Sequence, residues 1–246
     1  MLRAFKADLH IHTCLSPCGD LEMLPKAIVQ RAEEAGLDII AICDHNSTEN
    51  SGAVQKIGDG KIRVLAGIEI ASKEEVHILG LFDSSASLSE LQAIIYQNLP
   101  GENDEAAFGE QAIVNEEGDL LGISTKLLIG ATSLSVKEVV GLIHSVGGIA
   151  IASHIDRPSF SIISQLGFIP EDLELDALEV SRKTFIPDAQ TKRFPILFSS
   201  DAHYLQDIGR NSSLLLIEEP TIKEIKMALS GEEGRRICNY SSRSEK

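Results

Sequence analysis

Short apolar runs rich in β-branched residues recur along the chain with helical stretches between them, and this alternation constrains the fold more than any other feature. The runs lie at residues 4–11, 38–43, 63–70, 76–82, 149–153, 177–180, 196–199 and 214–217. Most are continuously apolar, as strands buried on both faces of a mostly parallel sheet are. Between the first two, Leu24, Ala27, Ile28, Arg31, Ala32 and Ala35 follow helical spacing, with Pro25 suited to a first turn and Gly36 to a stop. Further helices are expected over residues 87–98, 135–145 and 221–229. In the second of these, Ser135 stands three residues before Glu138, the spacing of a capping box.

Strand and helix alternation places the chain in the α/β class, and its 246 residues are enough for one barrel-sized domain spanning 1–246. Residues 100–133 interrupt the alternation with a polar, glycine-containing stretch. This is read as an inserted helical element or substrate-side lid, the alternative being a surface insertion with no role.

Charge narrows the partners. Lysine and arginine number 22 against 37 aspartates and glutamates, a formal net charge of −15. The average surface field therefore repels phosphate backbones and anionic lipid, so neither a long duplex nucleic acid nor a membrane is an expected partner. No apolar stretch approaches the roughly 18 residues of a membrane span, and a cytoplasmic location is expected. Four cysteines, Cys14, Cys18, Cys43 and Cys238, are too few for a disulfide scaffold and are expected to be thiols.

The chemistry concentrates in histidine. Of seven histidines, His10, His12, His45, His77, His154 and His203 sit at or beside strand ends with carboxylates close by. His10 and His12 lie two apart, so an extended strand points both to one face, with Asp8 on that face too. Asp44-His45, Glu69, His154 and Asp201-Ala202-His203 each fall at or just past the end of a run, and such positions share one face of a parallel barrel. Buried imidazoles and carboxylates are costly without cations, and mixed nitrogen and oxygen donors suit Zn, Mn or Fe. His144, inside a periodic helix, is read as structural or solvent-facing.

The segments Asp8-Leu9-His10-Ile11-His12-Thr13, Ile42-Cys43-Asp44-His45-Asn46, Gly67-Ile68-Glu69-Ile70, Val76-His77-Ile78-Leu79-Gly80, Ala152-Ser153-His154 and Ser199-Ser200-Asp201-Ala202-His203 occur in a telling order. Together they resemble the polymerase and histidinol phosphatase (PHP) superfamily of metal-dependent phosphoesterases. The resemblance implies a distorted (β/α)7 TIM-like barrel with two or three divalent metal ions at the C-terminal ends of its strands. By position, His10, His12 and Asp201 would bind one ion and His77 and His154 a second, with Glu69 bridging them. His45 and His203 would help hold a third.

The chain departs from the family pattern after the first motif, in Thr13-Cys14-Leu15-Ser16-Pro17-Cys18-Gly19-Asp20. Either Cys18 or Asp20 could complete the third position, and Asp20 is the preferred ligand. Asp44 and Asp8 are expected to orient imidazoles. Asp44, Arg157 and His203 are the candidates for catalysis, Arg157 gripping a phosphate through its guanidinium fork and Arg182 adding a second positive group. Bridged ions can activate a water as nucleophile, and neither a G-x-S-x-G elbow nor a P-loop is present. The expected function is hydrolysis of a small phosphorylated metabolite or nucleotide. The alternative is a PHP-type exonuclease or oligonucleotide phosphodiesterase.

Overall fold

The computed structural model describes residues 1–181, 188 and 190–238. In chain order the elements are β1 (Arg3–Ile11), α1 (Pro25–Glu34), β2 (Ile39–Ile42), α2 (Ser51–Gly58), β3 (Arg63–Ala71) and β4 (His77–Phe82). There follow α3 (Ser89–Asn98), α4 (Glu105–Phe108), β5 (Ala112–Val114), β6 (Leu120–Ile123), α5 (Val136–Ser145), β7 (Ile149–Ala152) and α6 (Ile162–Leu166). The chain continues with β8 (Ala177–Val180), β9 (Ile196–Phe198), β10 (Ser213–Ile217), α7 (Ile222–Ser230) and β11 (Arg236–Ile237).

Nine strands form one sheet in the order β11, β10, β1, β2, β3, β4, β7, β8, β9. Just past β9 the chain returns to β1, where Ile11 and Ala202 form a parallel bridge. His12 N donates to the Ala202 carbonyl at 2.9 Å and Ala202 N to the His10 carbonyl at 3.2 Å. The strands β1 to β4 and β7 to β9 thus curl into the expected seven-stranded barrel, and β10 pairs antiparallel with the other half of β1, from Arg3 to Ala7.

Two-faced burial explains the apolar runs. Alternate residues, including Phe5, Ala7, Leu9, Ile39, Ala41, Leu65, Leu79, Leu81, Ile151, Ala177 and Leu197, form the inner core, closed at one end by Ile222, Ile225 and Ala228 of α7. The intervening residues pack outward, Ile40 and Ile42 against α1 and α2, Ile68, Ile70 and Ile78 against α3 and α5. Gly67 faces inward between Leu65 and Glu69. A Cβ there would lie 2.5 Å from the Cys43 sulfur and 2.7 Å from the Ile42 carbonyl, so only glycine lets β3 approach β2 this closely.

Strand β4 is the departure from parallel order. It pairs antiparallel with both β3 and β7, which sets His77 beside Ala71 and Ile78 beside Ala152. The start of β4 therefore lies level with the ends of its neighbours, and this reversal brings His77 to the same barrel face as the other histidines.

Sequence signals hold locally. Pro25 opens α1, and the capping box forms, with Ser135 N donating to Glu138 at 2.8 Å and Glu138 N to the Ser135 hydroxyl at 3.3 Å. Helices α2 and α6 and the pair β5 and β6 are additional to the expected elements. The expected insertion contains the short helix α4 and also this antiparallel pair. It packs on the loop after β1 through Cys14, Ala112, Val114, Leu24 and Ile123.

Candidate metal centre

Inward-facing alternation is broken in β1 by a register shift between Asp8 and Ile11. Leu9 belongs to the inner core and Ile11 to the outer one. Such a bulge re-aims side chains, and here it turns His10 and His12 into the barrel mouth. Asp8 is left behind: its carboxylate accepts from Ser200 N at 2.9 Å and Gly209 N at 2.8 Å, clamping the return loop and orienting no imidazole. Glu69, His77 and Glu179 share the inward face of their strands. His154 and Asp201 enter from residues just past β7 and β9, with φ of +29° and +50°. Backbone strain of this kind in residues other than glycine concentrates at functional sites.

The hydrogen-bond network assigns the ring tautomers. His10 Nδ1 donates to the Glu179 carboxylate at 3.0 Å. His12 Nδ1 donates to the Ser16 hydroxyl at 2.9 Å, and that hydroxyl donates onward to Asp44 at 2.7 Å. Both Nε2 atoms are thereby left as acceptors, yet they meet at 3.0 Å. Asp201 Oδ1 stands 3.0 Å from one and 3.3 Å from the other, and Glu69 oxygens lie 3.5 and 3.6 Å away. Such facing acceptors in a buried site repel one another unless a proton on His10 or a metal cation sits among them, and the donor set fits a divalent ion in place of that proton.

Glu69, fully buried, is the hub. Its oxygens lie 2.9 Å from His45 Nδ1, 3.0 Å from His77 Nδ1 and 3.1 Å from His154 Nε2. The far nitrogen of His154, Nδ1, is buried without a hydrogen-bond partner among the described residues. Burial opposes ionisation of Glu69, but His77, His10 and His45 hold its pKa well below the usual carboxylate value. Burial likewise works against a charge on His10, yet Glu179, Asp201 and Glu69 hold its pKa well above 6.5. His77, dominated by burial, is pushed down.

The remaining expected residues divide. His12, His45 and His203 offer ligand atoms within 4.8 Å of one another, as do His10, His12 and Asp201, and His45, Glu69 and His77. Arg157 reaches the site, its Nη1 2.5 Å from Asp201 Oδ2. Asp44 does not face the cluster. It accepts from Thr13 N at 2.7 Å, Thr13 Oγ1 at 2.8 Å and Ser16, which fixes the loop and, through Ser16, the His12 ring. The Asp20 carboxylate accepts from Glu22 N at 2.8 Å, whereas Cys18 Sγ lies 3.2 Å from His45 Nε2. Burial raises the Cys18 pKa, but His203 and His45 override it and bring the thiol down to about 6. Arg182 lies outside the described residues. His144, outside the cluster and partly exposed, pairs with Asp176 at 2.8 Å.

Glu179 is the functional residue that sequence reasoning passed over. Its signal was a carboxylate inside the apolar run 177–180, on the inward face set by Ala177. Besides His10 it accepts from His154 N at 3.0 Å, holding two imidazole-bearing segments at once. Glu179→Gln is expected to weaken metal binding by roughly 10–100-fold, the usual cost of losing the partner of a ligating histidine. A metal titration unchanged from wild type would remove this role.

Comparison with known proteins is consistent with this geometry. The PHP domain family model matches residues 8–174. The uncharacterized protein YqxK of Bacillus subtilis is 25% identical over 262 residues, covering 97% of this chain and 65% of that protein. The 5'-3' exoribonuclease of Haemophilus influenzae is 26% identical over 193 residues, 61% of this chain and 68% of that protein. Among solved structures, the lesion-specific endonuclease PfuEndoQ from Pyrococcus furiosus superposes with a TM-score of 0.69 at 19% identity, over 96% of this chain and 58% of that one. Endonuclease Q in complex with a 27-mer duplex substrate, an abasic lesion at its active site, gives a TM-score of 0.68 at 18% identity, over 95% and 58%. The chain thus spans less than two thirds of the length of YqxK and of endonuclease Q.

The last of these overturns the expectation that an acidic chain excludes long duplex nucleic acid, because a protein of the same fold holds such a duplex. A net charge of −15 is an average over the whole surface. With a Debye length of about 8 Å at physiological salt, charges spread elsewhere are screened from the site. As for membranes, no helix among the described residues is long and apolar enough to cross one.

Proposed function

The chain belongs to the PHP domain family, and from that premise we propose that it is a metal-dependent phosphoester hydrolase that cleaves phosphodiesters of nucleic acid at the Glu69 cluster. The observation that carries the chemistry is the set of facing acceptors, His10 Nε2, His12 Nε2, Asp201 and Glu69, with 3.0 Å between the two imidazoles. The choice of nucleic acid is supported by the exoribonuclease relative and by the fold shared with endonuclease Q.

In this reading His10, His12 and Asp201 would hold one ion and His77 and His154 a second, with Glu69 shared between them, and His45 with His203 would serve a third. The donors suit Zn, Mn or Fe. Ions bound there lower the pKa of water towards neutrality and neutralise charge developing at phosphorus. The protein's own groups do the rest. Glu179 and Ser16 fix the His10 and His12 rings, each through Nδ1, so that Nε2 stays available. Asp44 is a positioning residue acting through Thr13 and Ser16. Arg157, a third exposed and against Asp201, is placed to grip a non-bridging phosphate oxygen with the rest of its fork.

The test is a substrate comparison on protein loaded with Mn or Zn. Labelled single strands and a duplex carrying an abasic site are expected to be cut, with His10→Ala inert. Phosphate release from small monoesters with every oligonucleotide intact would assign the substrate to phosphorylated metabolites instead.

A further inference from the structure

The loop after β1 places a thiol where the family pattern departs. Thr13, Ser16 and Gly19 form two successive turns, with Ser16 N donating to the Thr13 carbonyl at 3.2 Å and Gly19 N to the Ser16 carbonyl at 2.8 Å. A Cβ on Gly19 would lie 2.7 Å from the Thr13 carbonyl, so the loop closes this tightly only with glycine there. Asp20 N then donates to the His203 carbonyl at 2.9 Å, stitching the loop to the segment that carries His203. Between these anchors Cys18 hangs over the imidazoles, its Sγ 3.2 Å from His45 Nε2, and the ligand atoms of His45 and His203 lie within 4.8 Å of each other.

Both imidazoles are set up as lone-pair donors. His45 Nδ1 is 2.9 Å from Glu69 Oε2, and His203 Nδ1 is 3.0 Å from the Asp201 carbonyl. Each Nδ1–H is therefore given to an oxygen and each Nε2 is left free for a metal, the arrangement that outer carboxylates and carbonyls impose on ligating histidines. His12, whose ring centroid is 4.1 Å from that of His203, walls the position on the barrel side. Asp20 is held away by its own turn with Glu22.

We propose that Cys18, His45 and His203 form a thiolate-bearing metal site that selects zinc, or another thiophilic ion, over magnesium and manganese. Two imidazoles and one thiolate supply three protein ligands, the number that leaves a fourth tetrahedral position open to substrate. Thiolate donors favour zinc, whereas magnesium and manganese prefer oxygen. The Glu69 positions, built from imidazole and carboxylate, carry no such bias, so the ions of this centre differ in chemistry. The inference rests on the reading of the barrel mouth as a metal centre and adds the identity of its third ligand set.

Three readouts test it on the full chain. Cobalt-loaded wild type is expected to show a near-ultraviolet sulfur-to-cobalt charge-transfer band that Cys18→Ala lacks. Cys18→Ala is expected to retain one zinc fewer than wild type, with the same melting behaviour in the apo form. Iodoacetamide should label exposed Cys18 and partly exposed Cys238, while Cys14 and Cys43 are buried, and in a Cys238→Ser background zinc but not magnesium should block the labelling of Cys18. Cys18→Asp is expected to restore the lost ion as manganese. The inference is overturned if Cys18→Ala keeps full zinc content and the cobalt band is absent from wild type, an outcome that leaves the Glu69 centre and its activity standing. Wild type that binds no ion at all would sink both readings together.

Discussion

Glu69→Gln is expected to lower kcat/KM on an oligonucleotide by at least about 10³-fold, the upper range for removing a single transition-state-stabilising group. The reason is its position. Five imidazoles lie around this one carboxylate: His45, His77 and His154 within 3.1 Å, and His10 and His12 at 3.5 and 3.6 Å. Glutamine has nearly the same shape, but it replaces one acceptor oxygen by a donor NH2 and removes the negative charge shared by two ion positions. Two consequences should appear together, loss of activity and loss of more than one equivalent of metal. Removing one partner of a buried charge network costs roughly 3–5 kcal/mol, so the melting curve of the apo variant must be read alongside. Glu69→Asp keeps the charge while shortening the reach, and is expected to retain metal with intermediate activity. Should Glu69→Gln bind its full complement of ions and stay within tenfold of wild type, the bridging role is wrong.

The fold was legible because burial on both faces forces continuous apolar runs, and runs such as Ile39 to Ile42 leave little else to be. The histidines were legible as a group because strand ends in a barrel converge. What the spacing could not convey was direction. Alternation alone sets Asp8, His10 and His12 on one face, yet a bulge between Asp8 and Ile11 separates them, and that bulge lies in the pairing of β1 with Ile40 and Ile42 of β2, which no local pattern reports. His77 begins its run rather than ending it, and nothing local reports that β4 runs against its neighbours. Loop geometry was the other blind spot. Cys18 and Asp20 are equally near in sequence, and only the turns closed by Gly19 and the backbone tie from Asp20 to His203 decide which side chain meets the imidazoles. Glu179 was hidden for a different reason, since a carboxylate in a short strand reads as an exposed residue until its buried partner is known.

Removing metal with a chelator is expected to abolish activity, and restoring it to raise the melting temperature by an amount that grows with pH. At free metal a thousandfold above Kd, linkage supplies about 4 kcal/mol, which for a chain of this size is roughly 10 °C. The pH dependence follows from the signs of the shifts. Glu69 and Asp201 have depressed pKa values in the fold, so their contribution is present above their ordinary values and is lost as pH falls through the depressed ones. His10 and His45 have raised values, so theirs is complete below about 6.5 and fades as pH rises through the raised ones. The apo protein is therefore most stable in mildly acid solution, where protons on His10 and His45 stand where the cations would. A metal ion must displace those protons, so it binds more tightly as pH rises through the raised values, where the apo form loses its own stabilisation. Thermal melts of apo and metal-loaded protein should diverge progressively as the pH is raised above about 6.5. Parallel curves across that range would mean that the ion does not bind at His10 and His45.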